Sequence, residues 1–161
     1  MDPQIALLLS IIDEAYEKKA WHGPNLRGAL RGVTAEMAAW RPARGRHNIW
    51  ELVIHAAYWK YAVRRRLLAG KRGAFPLQGS NWFMRASSGN AAEWKKDLKL
   101  LHEEHKAMRE AIAGLRLRDL NVRTPGSKVT NVRTVFGIAA HDLYHAGQIQ
   151  LLKRLHESRR K

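Results

Sequence analysis

Apolar residues recur every three or four positions over four long stretches of the chain, which is the spacing of one buried face on an α-helix. The first helix is predicted to begin at Asp2-Pro3, an N-cap residue followed by proline at the first helical position, and to end at Gly23-Pro24. Its apolar face consists of Ile5, Leu8, Leu9, Ile12, Ala15 and Tyr16. An irregular stretch follows, in which Thr34 is predicted to cap a short turn.

The second long helix is predicted to begin near Asn48, which has capping-box spacing to Glu51, and to run to about Ala69 before Gly70. Its apolar face consists of Leu52, His55, Ala56, Trp59, Ala62 and Val63. A connection over residues 70–90 carries four glycines, a proline and three serines. A loop of this length within a compact domain is usually functional, so we predict that its aromatic pair, Trp82 and Phe83, folds over one end of the helices.

The third helix is predicted to begin at Asn90, and the fourth to run from about Asn131 to near His156. The apolar face of the third consists of Trp94, Leu98, Leu101, His105, Met108, Ile112 and Leu115. No strand-like alternation and no internal repeat occur. The pattern therefore predicts one all-α domain over residues 1–161, a four-helix bundle with a long loop between helices two and three.

Composition narrows the class of protein. The chain of 161 residues is 45% hydrophobic, enough for a real core, and its lack of cysteine excludes disulfides, thiolate metal ligands and a cysteine nucleophile. Its 29 Lys and Arg residues against 14 Asp and Glu residues give a net charge of +15. Such a surface either attracts polyanions or serves solubility, and the charge alone does not decide between them. Without a signal-peptide pattern or an uninterrupted apolar run, we expect a cytoplasmic protein that does not contact membranes.

The basic residues are unevenly distributed. Ten lie between residues 41 and 85, where Glu51 is the single acid, and five more lie at the end of the chain. The ten are Arg41, Arg44, Arg46, Lys60, Arg64, Arg65, Arg66, Lys71, Arg72 and Arg85, and the five are Lys153, Arg154, Arg159, Arg160 and Lys161. This segment and the tail are the candidate surface for a polyanion.

His141 and His145 are four residues apart in the fourth helix, so both imidazoles lie on one helical face. Thr134, Ile138, Gln148 and Leu152 share that face, and its core-like character predicts that it points inward. The pair therefore indicates a metal site inside a helical bundle, or alternatively one packed and one hydrogen-bonded histidine.

A third metal ligand has several candidates. His55 and His105 both lie on apolar faces, whereas we expect His47, His102 and His156 to be solvated. His22 lies at the predicted C-terminal end of the first helix, and it would approach the end of the bundle that carries His55 if helices one and two were antiparallel neighbours. Periodicity alone does not choose among these histidines.

Five segments carry a resemblance to a known family: residues 20–24 (AWHGP), 40–42 (WRP), 47–55 (HNIWELVIH), 80–82 (SNW) and 140–149 (AHDLYHAGQI). In this combination the chain resembles the DinB-like four-helix-bundle proteins, whose relatives include bacillithiol transferases and proteins assigned as metal-dependent hydrolases. The match spans most of the chain.

The resemblance implies that His55, His141 and His145 bind one divalent metal ion, typically nickel or zinc, and that His105 is a core or pocket residue. It further implies a metal-dependent enzyme, either a thiol S-transferase or a hydrolase, that acts on a small-molecule substrate such as a low-molecular-weight thiol. Homodimers are also expected of such proteins.

Three further residues are candidates for the pocket of that site. Gln148 lies one turn beyond His145 and either contacts a ligand of the metal or is satisfied by the backbone, while His22 and Trp82 would line the mouth. The alternative function is a non-catalytic basic module that binds nucleic acid or another polyanion and holds a structural metal. No nucleic-acid-binding motif accompanies the charge, so no specific nucleic acid is expected. A bundle that has lost its metal and only dimerises is the third alternative.

Overall fold

The computed structural model describes residues 1–70, 74–85, 90–124 and 127–159, and these residues form α-helices and no strand. The all-α class is therefore confirmed. The four long helices are α1 (Pro3–Tyr16), α4 (Ile49–Leu67), α5 (Ala91–Ala113) and α7 (Asn131–Ser158). Three short helices, α2 (Leu26–Ala29), α3 (Ala35–Ala39) and α6 (Leu117–Leu120), lie in the connections. No helix in the described ranges is both long and apolar enough to cross a membrane.

The predicted helix starts are confirmed by their caps. The side chains of Asp2, Thr34, Asn48 and Asn90 each accept a hydrogen bond from a backbone N–H in the first turn that follows. The predicted end of the first helix is wrong, because α1 stops at Tyr16 rather than at residue 23. The residues that follow have little to bury: Glu17, Lys18 and Lys19 come first, and Trp21 is then fully exposed.

The long helices pack in a ring, in which α1 and α4 each contact both α5 and α7. Since α1 and α4 are opposite each other, they are not the antiparallel neighbours that would bring His22 toward the start of α4. The buried apolar residues of the described ranges form two clusters, one that contains Trp50 and one that contains Ile12.

The direction of α5 explains why the connection before it is long. Trp50, near the start of α4, donates a hydrogen bond to Asp97 in α5, and Arg64, near the end of α4, pairs with Glu104 further along α5. The two helices therefore run in the same direction, and the chain has to return along α4, a distance of about 28 Å for 19 residues. The connection is thus a crossover and not a hairpin loop.

The described part of this connection, residues 74–85, packs along α4 and against α5. Phe83 is buried, and its ring and that of Phe75 lie against Tyr58 of α4. Arg85 pairs with the buried Asp97 of α5 at 2.5 Å. Aromatic contacts and an ion pair therefore hold the crossover against α4 and α5.

Fewer of the predicted basic residues are available to a polyanion than the sequence indicated. Lys60 is fully buried and pairs with Asp142, while Arg41, Arg64 and Arg85 pair with carboxylates. Lys71, Arg72, Arg160 and Lys161 lie outside the described residues. Of the eight described cations between residues 41 and 85, four therefore have acidic partners from within the protein.

His156 corrects another prediction, because it is buried and not solvated. It lies four residues beyond Leu152 on the inner face of α7, and its ring packs against Trp40 with centroids 5.3 Å apart. Because α7 continues to Ser158, the helical face extends further than the basic tail suggested.

Candidate metal centre

The structure brings His55 of α4 together with His141 and His145 of α7. The Nε2 atom of His141 lies 3.1 Å from that of His55 and 3.0 Å from that of His145. One ligand nitrogen from each ring falls within 4.8 Å of the other two. These three residues form the one cluster of metal-ligating side chains found in the described ranges.

Hydrogen bonds on the far side of two rings fix which nitrogen faces the cluster. The Nδ1 of His55 lies 2.8 Å from the backbone carbonyl oxygen of Asn81, and the Nδ1 of His145 lies 2.6 Å from the side-chain oxygen of Gln148. Both partners are oxygen acceptors here, so each Nδ1 carries the proton and donates it. The Nε2 lone pairs are then free, which is the tautomer that a metal-ligating histidine needs.

The spacing of the three nitrogens fits a single divalent ion. Nitrogen donors bound at about 2.0–2.1 Å to one ion are separated by roughly 3.0–3.4 Å, and the observed separations of 3.0 and 3.1 Å are close to that range. With both outer Nδ1 atoms protonated, the Nε2 lone pairs of His55 and His145 face the ring of His141. A cation among the three nitrogens would turn this arrangement into coordination.

Burial keeps the imidazoles neutral, which metal binding requires. It lowers the pKa of His141 to about 3, with smaller contributions from His145 and His55, and it lowers the pKa of His145 to about 4. It also lowers the pKa of His55, and the hydrogen bond to Asn81 opposes that shift. The donor set is therefore ready to bind a cation without first losing protons at neutral pH.

Residues 81 and 82 of the crossover cover the His55 side of the cluster. The ring of Trp82 stacks nearly parallel on those of His55 and His47, with centroid distances of 3.9 and 3.6 Å. Asn81 adopts a left-handed backbone conformation, with φ of 64°, and its side-chain oxygen accepts a hydrogen bond from the indole of Trp59 at 2.9 Å. Its backbone and side chain thus both bind α4, and the backbone contact orients a candidate metal ligand.

A buried ion pair joins the two helices that carry the histidines. Lys60 lies five residues after His55, and its partner Asp142 directly follows His141. Burial raises the pKa of Asp142 and lowers that of Lys60, while the attraction between the two opposes both shifts. The pair fixes the position of α4 along α7, so it positions the histidines without touching the cluster.

The other predicted site residues lie at varied distances from the centre. Trp82 and Gln148 contact histidines of the cluster directly. His22 is not part of it, because its side chain is exposed and lines a cavity of about 440 Å³ on α7 with Gly147 and Arg154. A role for His22 at the mouth of the site stays a prediction.

The remaining histidines agree with their predictions. His102 and His47 are both exposed as expected, and His47 also packs on Trp82 and pairs with Glu51. His105 is buried as expected and stacks on Tyr16 with ring centroids 3.7 Å apart. Sequence reasoning missed the roles of Asn81 and Trp59, because a loop carbonyl and its hydrogen bonds leave no spacing signal.

Comparison with known protein families agrees with this geometry. The family model for the DinB superfamily matches residues 20–149, a span that contains all three histidines and both residues that orient them. No curated protein and no solved structure matches the chain. Since the family model covers well over half of the sequence, the chain belongs to the DinB superfamily.

Proposed function

We propose that this protein is a metal-dependent enzyme that binds one divalent ion, nickel or zinc, at His55, His141 and His145, and that it transfers a low-molecular-weight thiol to an electrophilic small molecule. The observation that carries the proposal is the convergence of three Nε2 atoms, two of them from rings whose Nδ1 protons are held by oxygen acceptors. When bound, a divalent ion would supply Lewis-acid chemistry by lowering the pKa of a thiol or a water molecule.

The protein's contribution is to hold three neutral ligands and leave other positions accessible. Neutral imidazoles add no negative charge, so the charge of the ion would remain available to the substrate. Gln148 and Asn81 keep two of the rings in the required orientation, while the indole of Trp82 shields the His55 side from water.

The absence of a carboxylate from the described hydrogen bonds of the cluster favours thiol transfer over hydrolysis. Metal-dependent hydrolases commonly use a carboxylate to accept the proton of the attacking water. Here the nearby carboxylates have other partners, since Asp142 pairs with Lys60, and Glu51 pairs with Arg41 and His47. A thiol, with a pKa of about 8.5, requires less help to lose its proton.

The proposed reaction forms a bond from the thiol sulfur to a carbon of the electrophile. The leaving group departs with the electron pair of the bond that breaks, and the thiol proton passes to solvent. Neither partner is oxidised or reduced, so no redox cofactor is required.

Elemental analysis of the purified protein tests the metal part of the proposal. We expect about one equivalent of nickel or zinc in the wild type and none in the His141→Ala and His145→Ala variants, with the helical circular dichroism spectrum retained in all three. Retained metal in both variants would contradict the site.

An activity assay tests the reaction. The metal-loaded protein is mixed with monochlorobimane and with bacillithiol, glutathione or cysteine, and we expect conjugate formation that disappears in His141→Ala. Hydrolysis of p-nitrophenyl acetate in the absence of any thiol, without conjugate formation, would contradict the proposed thiol transfer and support a hydrolase activity. Salt-sensitive binding of unrelated DNA sequences, with neither reaction, would instead support a basic binding module.

A further inference from the structure

A small cavity adjoins the metal centre between α4 and α7. It has a volume of about 210 Å³, and its walls include Trp59 and Val63 from α4 and Ile138 and His141 from α7. One candidate metal ligand therefore forms part of the wall. The volume is below that of sites that enclose a whole drug-sized ligand, so it suits one arm of a molecule whose other end reaches the centre.

Two arginines line this cavity, one from each helix. Arg66 lies in the last turn of α4, with its guanidinium 5.6 Å from the centroid of Trp59, and Arg133 lies in the first turn of α7. In the described ranges neither has a carboxylate partner, in contrast to Arg64, which pairs with Glu104 at 3.1 Å. Two guanidinium groups and an apolar wall thus lie beside His141.

Gly137 keeps the cavity open on the side of α7. Glycine weakens the interior of a helix relative to alanine, yet it occupies this position near the middle of α7. A Cβ atom built at Gly137 would meet no atom within 4 Å, so a larger side chain there would extend into free space that the cavity occupies.

We propose that this cavity binds the anionic arm of the substrate, an apolar stem that ends in a carboxylate or phosphate group. Arginine binds such oxyanions through paired N–H donors, and the Val63 and Ile138 side chains would contact the stem. The inference rests on the proposed function in one respect, namely that the opposite end of the same molecule reacts at the three histidines.

Calorimetric titration of the wild type, with and without metal, provides the test. The probes are mercaptopropionate and mercaptoethanol, which share a two-carbon stem but differ in charge, together with propionate and inorganic phosphate. We expect mercaptopropionate to bind about tenfold more tightly than mercaptoethanol to the metal-loaded protein. Tighter binding of phosphate than of propionate assigns a phosphate group to the natural ligand, and the reverse order assigns a carboxylate.

Variants locate the binding in this cavity. Arg66→Gln and Arg133→Gln should each remove most of the preference for mercaptopropionate, and Gly137→Leu should weaken its binding by about tenfold or more while the metal content stays unchanged. Arg154→Gln is the matched control, because it removes the same charge from the same helix but lines a different cavity. An equal loss in Arg154→Gln would show a general effect of net charge and overturn the proposal.

The test separates this inference from the proposed function. Anion binding to the metal-free protein that is lost in Arg66→Gln, Arg133→Gln and Gly137→Leu supports the cavity even if no thiol conjugate forms. Equal affinity of the wild type for the two thiols would overturn the proposal that the cavity is a substrate subsite. Conjugate formation by the same protein would still support the proposed thiol transfer.

Discussion

The histidine cluster and the buried His105 are two groups with different surroundings. His55, His141 and His145 converge, and oxygen acceptors orient two of the three rings. His105 is buried as well, yet neither of its ring nitrogens has a hydrogen-bond partner in the described structure, and its ring stacks on Tyr16. Both groups arise from histidines on apolar helical faces, so the position on a helix does not distinguish a candidate ligand from a core residue.

The difference lies in what each histidine faces across the interior. Each histidine of the cluster has the other two imidazoles as neighbours, and His55 also contacts the loop carbonyl of Asn81. His105 has Tyr16 on one side and the charged group of Lys60 nearby, and burial followed by the effect of Lys60 lowers its pKa to about 2. A metal site requires several donor atoms, which two helices bring together in the cluster. No group of metal-ligating side chains in the described ranges includes His105, so its neutral imidazole serves only packing.

The largest expected contrast is the loss of metal on removal of one histidine from each group. His55→Ala should abolish stoichiometric metal binding, because two remaining ligands do not hold a divalent ion firmly. His105→Ala should retain about one equivalent. Elemental analysis after dialysis measures both, and metal loss in His105→Ala with an intact helical spectrum would contradict the distinction.

The next effect concerns the ion pair that lies between the two groups. Asp142→Ala would leave the buried Lys60 without a partner, and we expect the free energy of unfolding to fall by about 3–5 kcal/mol. The double variant Lys60→Met with Asp142→Leu should recover most of that loss. Urea denaturation measures both, with Arg116→Ala, at an exposed pair, as the control that leaves the midpoint unchanged. A small effect of Asp142→Ala would show that the pair does not hold α4 against α7.

A smaller effect is expected for the group that orients one ring. Gln148→Ala should weaken metal binding by roughly 10–100-fold, because the acceptor for the Nδ1 proton of His145 is lost. Gln148→Glu retains an acceptor oxygen and should bind metal about as tightly as the wild type. Competition with a chromophoric chelator measures the affinities, and Gln150→Ala on the same helix is the control. An unchanged metal affinity in Gln148→Ala would show that the hydrogen bond between Gln148 and His145 does not orient the ring for metal binding.

The smallest effect is the pH dependence that His105 contributes to stability. Below pH 6.5 the unfolded chain takes up a proton at this position, whereas the folded protein does not do so until about pH 2, so stability falls as the pH drops through this interval. His105→Phe keeps a ring on Tyr16 and removes the proton site. Between pH 6.5 and 5 the variant should therefore lose about 1.6 kcal/mol less stability than the wild type. Denaturation curves at the two pH values provide the measurement, and equal losses would mean that His105 is protonated inside the fold.

Local patterns in the sequence were sufficient to predict where the long helices begin and which two histidines share one helical face. Polar N-cap residues and the spacing of apolar residues depend on neighbours a few positions away, which is why the starts of α1, α4 and α5 were predicted correctly. The i,i+4 spacing of His141 and His145 placed both rings on one face for the same reason. The choice of His55 came from resemblance to a family, since periodicity treats His55 and His105 alike.

Contacts between distant parts of the chain were decided by the tertiary structure. The sequence by itself determined an all-α chain with an inward pair of histidines, because those features follow from backbone geometry over one or two turns. Only the packing of α4 against α7 brought His55 to that pair, buried Lys60 beside Asp142 and placed His156 in the interior. Only the crossover between parallel helices brought the carbonyl of Asn81 to His55. His55 and His141 alone are 86 positions apart, and no local pattern encodes such a distance.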